Sequence, residues 1–492
     1  MGAQVSYQHS KAGDVEQMRA GSWQALFERD AQGLEMQRLL SGGVRMQWKR
    51  NALGRPIEQR ISTSSRREIR QRYYSWQTSD QLPQIADSST GLTQFTHDAV
   101  GNLAATHYAN GTQQLRLPDA LGNLFTTPQR QDRRYGPAGQ LLEANGTQYF
   151  YDAEGNLARK LTHTGQEWHY SWSEAGRLSS VLRPDGQVVR FTYDALGRRL
   201  SKHYRGQVTR WVWDGNVPLH EWTGLELEQA NVEEVITWLF EEDSFTPLAK
   251  LQGAQHYSLV SDHLGTPLEL HGAGDAPVWA AELDSYGRVR HQQGDVAACP
   301  FRYQGQYEDQ ETGLYYNRFR YYDPESGQYI SQDPIGLLSN NPTAYAYVVD
   351  PNYFVDPSGL YNGEGVRDLG DYVSFHNHNL SPSEYTKPDK YHFAKANEAV
   401  YNRIQTDPAF KQYLETNYPG AVKHVSPTRN GTFRGTAPKN LTWHHATASQ
   451  MGGQPGWLQM VDRADHSTYH KIYHPDDIGG RNEWGGGTSC RK

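Results

Sequence analysis

Through the first 290 residues, apolar and polar positions alternate with a period of two over short stretches, and the stretches close on the same punctuation. The recurring phrase is aromatic-x-aromatic-Asp-x-x-Gly-x-Leu. It appears as Phe95-Thr96-His97-Asp98-Ala99-Val100-Gly101-Asn102-Leu103 and as Tyr149-Phe150-Tyr151-Asp152-Ala153-Glu154-Gly155-Asn156-Leu157. A third copy, Phe191 to Arg199 around Asp194 and Gly197, carries Arg in the last place. Weaker copies lie at Pro118–Leu124, Trp172–Leu178 and Asp284–Val289. A period of two places alternate side chains on one face of a strand. Asp caps the following turn with its side chain, and Gly takes the position with positive φ. One such hairpin cannot bury its apolar face alone, so copies must stack into a long sheet. The pattern predicts a mostly antiparallel β shell over residues 1–300, with a β-sandwich or propeller as the competing architecture.

The period changes after Leu360. Residues 361–370 read as a linker, and 390–405 have helical spacing that places Phe393, Ala396, Val400 and Ile404 on one face. A second helix is framed by Asp407 as N-cap, Pro408 at the first helical position and Gly420 past the end. Residues 441–484 read as strand, loop, strand, helix, with Asp462 as the helix N-cap and Asp465 in its first turn. The predicted architecture is thus multidomain: a β shell followed by a small α+β domain over 361–492.

Composition sharpens this division. A load of 31 Tyr, 13 Trp and 47 Gly fits many short strands joined by tight turns. No apolar run reaches the roughly 18 residues of a membrane span. Met1-Gly2-Ala3-Gln4-Val5 lacks the pattern of a signal segment, so export is expected to use other machinery. Two cysteines, Cys299 and Cys490, are too few for a disulfide scaffold and fit a reducing compartment. Residues 361–492 hold 15 Lys+Arg against 13 Asp+Glu, while the remainder holds 33 against 42. A mildly basic tail on an acidic carrier is compatible with a nucleic-acid enzyme. The tail also holds 9 of the 20 histidines, which points to metal chemistry.

The histidines have a usable spacing. On the expected helix, His466 and His470 are i and i+4 and share a face. Two imidazoles one turn apart can bind one metal, and a strand residue can supply a third ligand, leaving a position open for a phosphate oxygen. Adjacent strand residues point to opposite sides, so His444 and His445 can divide the work, one as ligand and the other as general base. Arg481 is a candidate phosphate contact and equally a solvated loop residue. His474 carries no favoured role, His376 and His378 are expected in a loop, and Trp443 and Trp484 read as core aromatics.

Several of these stretches resemble known families. The repeat, Ser261–Glu269 and the long segment Phe301–Pro324 are similar to the YD repeats and core of Rhs polymorphic toxins. That resemblance implies a coiled β-sheet cocoon enclosing a C-terminal toxin. It also gives meaning to Asp333-Pro334-Ile335-Gly336 and Asp356-Pro357-Ser358-Gly359-Leu360, otherwise two Asp-Pro turns. In the family these resemble an internal aspartyl protease, with Asp333 and Asp356 as paired carboxylates in a 301–360 junction segment and scission between Leu360 and Tyr361. Two close carboxylates would share a proton, one activating water and the other protonating the leaving amide. Here 19 residues separate Gly336 from Asp356, one more than the family pattern.

Residues 441–484 resemble the ββα-metal finger of HNH nucleases, including colicin-type DNases, and most of all its Trp-His-His subgroup. By that resemblance His444, His466 and His470 hold one divalent metal (zinc, nickel or magnesium), His445 is the general base, and Gln459 stands where Asn is usual. The implied function is an antibacterial endonuclease effector acting on nucleic acid, DNA before RNA. It would be made in a bacterial cytoplasm, carried by a type VI secretion spike or delivery protein into a target-cell cytoplasm, and restrained by a cognate immunity protein. An RNase tail and a structural or adhesive YD-repeat protein with an inert tail are the alternatives.

Overall fold

The computed structural model describes residues 4–11, 13–30, 33–63, 68–77, 81–226, 231, 233–336, 343–360, 374–446, 455–463 and 466. The chain divides into two compact units. One comprises Met1–Asp333 with Asn341–Gly363, the other Pro334–Asn340 with Glu364–Lys492.

The first unit is a succession of antiparallel meanders. Strands from Val5–His9 to Gln113–Leu115 form an 11-stranded sheet, and those from Arg133–Tyr135 to Val289–Gly294 form a 16-stranded sheet, each in strict sequence order. The Asp-x-x-Gly phrase builds the turns as expected. Asp98 Oδ1 accepts from the N–H of Val100 and of Asn102, at 3.0 and 2.9 Å, while Gly101 sits at φ 94°, where a side chain would be strained. Asp119, Asp194, Asp262 and Asp284 each accept the same pair of backbone bonds. The two large sheets share a core in which Trp23, Leu40 and Ile61 meet Leu248, Ala249 and Val260.

Four further strands, β1 (Tyr307–Asp309), β2 (Leu314–Asn317), β3 (Arg320–Asp323) and β4 (Gln328–Tyr329), form a separate antiparallel sheet. Phe301, Tyr307, Tyr316 and Tyr321 bury into the face of the 16-stranded sheet beside Phe191, Trp211 and Trp238. The tyrosine-rich segment Phe301–Pro324 is therefore the filling of the first unit, and its polar atoms need internal partners. Arg199, 1% exposed, meets that need by pairing with Asp309 against the rings of Trp211 and Tyr316.

The second unit has a three-stranded antiparallel sheet of β5 (Ser374–Asn379), β6 (Leu441–His445) and β7 (Trp457–Asp462), in the order β5-β7-β6. Among the described residues three helices accompany it: α1 (Asp389–Thr406), α2 (Pro408–Asn417) and α3 (Ala421–Val425). Ala396, Val400 and Ile404 of α1 bury in one core with Phe410, Leu441, Trp443, Leu458 and Met460. Asp407 caps α2 by accepting from Phe410 N–H at 2.9 Å. Gly420 falls past the end of α2 as expected and is also the N-cap of α3, a helix the sequence pattern did not reveal.

His376 and His378 lie on strand β5, not in a loop. The run Ser374-Phe375-His376-Asn377-His378-Asn379 has almost no apolar alternation, yet it pairs along β7 from Val461 to Trp457 and completes the sheet. Burial pushes the His376 imidazole down to about 3, with the Arg403 charge adding to the effect. Among the described residues no helix is long and apolar enough to cross a membrane.

Candidate functional site

Asp333 and Asp356 are brought together by a residue that the sequence pattern did not single out. Arg320 on β3 points one guanidinium nitrogen at both, 3.0 Å from Asp333 Oδ2 and 3.3 Å from Asp356 Oδ2. All three side chains are only 1–2% exposed. Tyr329 O–H donates to Asp356 Oδ2 at 2.6 Å, and burial beside that carboxylate holds the phenol well above its usual range, so it remains a donor. The backbone of 356–360 is held as firmly. Asn317 Nδ2 donates to the Asp356 carbonyl at 2.8 Å, Leu360 N–H donates to Asp356 Oδ1 at 2.9 Å, and Arg320 Nε donates to the Gly359 carbonyl. Gly359 has φ 73°, and a Cβ there would stand 2.6 Å from the Asn317 carbonyl oxygen, so only glycine fits this approach. Residues 356–360 are thus fixed against the carboxylate pair up to Leu360; Tyr361 lies outside the described residues. The expected proton-sharing dyad gains a partner, since Arg320 brings a positive charge to both carboxylates.

In the second unit, the period of two on β6 sends neighbouring histidines to opposite faces. Leu441, Trp443 and His445 alternate on the face that packs on α1, and Trp443 Nε1 donates to Asn397 Oδ1 of that helix at 3.1 Å. His444 takes the other face, opposite Gln459 in the β6–β7 register. There it meets His466, which follows β7 in helical conformation: His444 Nδ1 and His466 Nε2 are 3.3 Å apart. His444 is 1% exposed and Gln459 2%. His470, His474, Arg481, Trp484 and Cys490 lie outside the described residues.

The donor chemistry of this pair fits a metal ion. Tetrahedral ligation at the roughly 2.0–2.1 Å of a zinc–imidazole bond sets ligand nitrogens about 3.3 Å apart. The 3.3 Å between the two histidines equals that separation and is also a hydrogen-bond distance.

His445 has different company. Its Nε2 lies 3.1 Å from Nδ1 of His392 and 3.7 Å from Oδ1 of Asp389, both on the first turn of α1. His392, fully buried, places its other nitrogen, Nε2, 2.8 Å from the Glu384 carbonyl oxygen. Asp389, His392 and His445 form a group of metal-type donors within 4.8 Å of one another, distinct from the set expected from the sequence. The helical stripe carried a signal for His392, since stepping back four residues from Ala396 along it lands there.

Residues 40–353 match the Teneurin YD-shell family. Double-stranded DNA deaminase toxin A of Burkholderia cenocepacia (strain H111) is 30% identical over 404 residues, covering 73% of this chain and 27% of that protein. Probable deoxyribonuclease RhsB of Dickeya dadantii (strain 3937) is 28% identical over 381 residues, covering 68% of this chain and 26% of that protein. The chain therefore spans about a quarter of the length of these curated relatives. Among solved structures, a chain of the Photorhabdus luminescens Tc holotoxin pore superposes with a TM-score of 0.53 at 17% identity, over 73% of this chain and 20% of that one. That likeness shows the fold of the shell.

Proposed function

The chain belongs to the Teneurin YD-shell family, and from that premise we propose that it is an antibacterial polymorphic toxin whose 361–492 unit is a metal-dependent HNH-type endonuclease. The observation that carries this reading is the meeting of His444 and His466 at 3.3 Å, from the end of β6 and from just past β7. The names of the relatives support the broader part, one being a DNA deaminase toxin and another a probable deoxyribonuclease. Delivery by a type VI spike, a cognate immunity protein and action in a target-cell cytoplasm belong to the same reading.

His444, His466 and His470 would hold one divalent ion, and three imidazoles favour zinc or nickel over magnesium. When bound, the ion supplies positive charge for the phosphate and the leaving oxygen. His445, kept on the opposite strand face, accepts the proton of the attacking water. Arg481 binds the phosphate by charge-assisted hydrogen bonds. Binding to the nucleic-acid backbone is then non-specific and weakens with salt.

Release of this unit at the junction is part of the same reading. Asp333 and Asp356 act as an aspartyl pair on the Leu360–Tyr361 bond, with Arg320 and Tyr329 holding Asp356 in place. One carboxyl activates water and the other protonates the departing amide nitrogen.

The experiment offers supercoiled plasmid and tRNA in parallel to the purified full chain, with and without EDTA, beside His445→Ala. Plasmid nicking that EDTA abolishes and His445→Ala nearly eliminates is expected. Cleavage of tRNA alone would reassign the substrate to RNA. Loss of neither substrate under any condition would leave an inert tail on a structural shell.

A further inference from the structure

His445 has two ring nitrogens, and a general base needs its lone pair on a defined one. Its surroundings decide which. The Glu384 carbonyl oxygen can only accept, so His392 Nε2, 2.8 Å away, must carry a proton. In a neutral imidazole the other nitrogen, Nδ1, is then an acceptor. That acceptor faces His445 Nε2 at 3.1 Å, and the Asp389 carboxylate faces the same nitrogen at 3.7 Å. These contacts are met when His445 Nε2 carries the proton, which leaves the lone pair on Nδ1. The proton order runs from His445 Nε2–H to His392 Nδ1, and from His392 Nε2–H to the Glu384 carbonyl.

From this chain of contacts we infer that His392, with Asp389 beside it, is a positioning residue that fixes the tautomer and ring orientation of His445 for proton abstraction through Nδ1. The inference rests on the nuclease reading for the role of His445, but the tautomer itself does not. Burial makes the arrangement stable. His392 is fully buried, His445 is 8% exposed, and Phe393 packs its ring 5.7 Å from that of His445. Asp389 places a carboxylate oxygen 3.7 Å from the same Nε2. Both residues come from the start of α1, outside the stretch 441–466 that carries His444, His445 and His466, so α1 contributes to the site.

The test uses the full chain, labelled with 15N-histidine and loaded with zinc, which is diamagnetic. His445 signals are assigned by their loss in His445→Gln. The expected result is a protonated, pyrrole-type Nε2 and an unprotonated, pyridine-type Nδ1. Plasmid cleavage by His392→Leu should fall about 10- to 100-fold in kcat with KM little changed, inside the range a positioned base contributes. Zinc stoichiometry should stay the same. His392→Gln, whose amide can accept from His445 and donate to Glu384, should recover most of the loss; this also separates positioning from a damaged fold. A protonated Nδ1, unaltered cleavage in His392→Leu, or a second zinc ion lost on changing His392 would each overturn the inference. No cleavage by the unaltered chain would remove the base role and the nuclease reading together, whereas cleavage with the wrong tautomer would remove only the role of His392.

Discussion

The two units solve opposite problems with buried polar groups. In the first unit, buried charges are matched by opposite charges: Arg320 serves Asp333 and Asp356, Arg70 serves Asp87 and Glu269, and Arg199 serves Asp309. In the second, the inward polar groups near the strand end are mostly imidazoles that face one another, His444 with His466 and His445 with His392. A compensated ion pair locks a segment in place and leaves little to bind an added cation. An imidazole nitrogen can give its lone pair to a proton or to a metal. The comparison shows charge pairs fixing one backbone segment at the junction and histidines facing one another at the strand end.

The largest effect expected from disturbing this contrast is at the junction. Asp356→Asn should abolish release of a fragment beginning at Tyr361, read by gel and N-terminal sequencing; normal processing would rule out the aspartyl scheme. Next, His444→Ala should remove the ion and lower plasmid cleavage by roughly 1000-fold or more, since a metal supplies several kcal/mol to such reactions. Nicking assays beside metal analysis check this. Arg320→Leu leaves two buried carboxylates without their counter-charge, at a cost of about 3–5 kcal/mol. Urea unfolding followed by tryptophan fluorescence measures that loss, and a change below about 1 kcal/mol would mean the pair does not depend on Arg320.

A pH-dependent effect separates the units. His376 is held down to about 3 in the folded chain, against about 6.5 when unfolded, so below pH 6.5 the unfolded chain binds the extra proton. Its contribution is complete above pH 6.5 and declines by up to about 1.4 kcal/mol per pH unit as the pH falls toward 3. His376→Phe should flatten that part of the acid stability curve, and an unchanged curve would contradict the buried, neutral assignment. The smallest effect is in a single repeat turn. Asp98→Ala loses two backbone acceptor bonds, and about 1 kcal/mol is expected because neighbouring hairpins keep the sheet in register.

The shell was legible in the sequence because its rules are local. Asp98 and Gly101 belong to one turn, and the same phrase recurs along the chain. The 3.3 Å approach of His444 and His466 joins two positions that the sequence had singled out, within 22 residues of each other. What escaped depends on distant segments. Arg320 reaches Asp333 and Asp356 only after the tyrosine-rich sheet is seated in the first unit. β5 has so little apolar alternation that only its pairing with β7 reveals it. His392 went unremarked because its contact appears only when α1 packs on the face of β6 that carries His445.

The most direct test of the central claim is X-ray absorption at the zinc edge of the zinc-loaded full chain, repeated on His444→Ala and His392→Leu. One zinc per chain with imidazole ligands at about 2.0–2.1 Å, lost in His444→Ala and kept in His392→Leu, is the predicted result. Zinc retained in His444→Ala but lost in His392→Leu would place the ion on the Asp389–His392–His445 side and contradict the account.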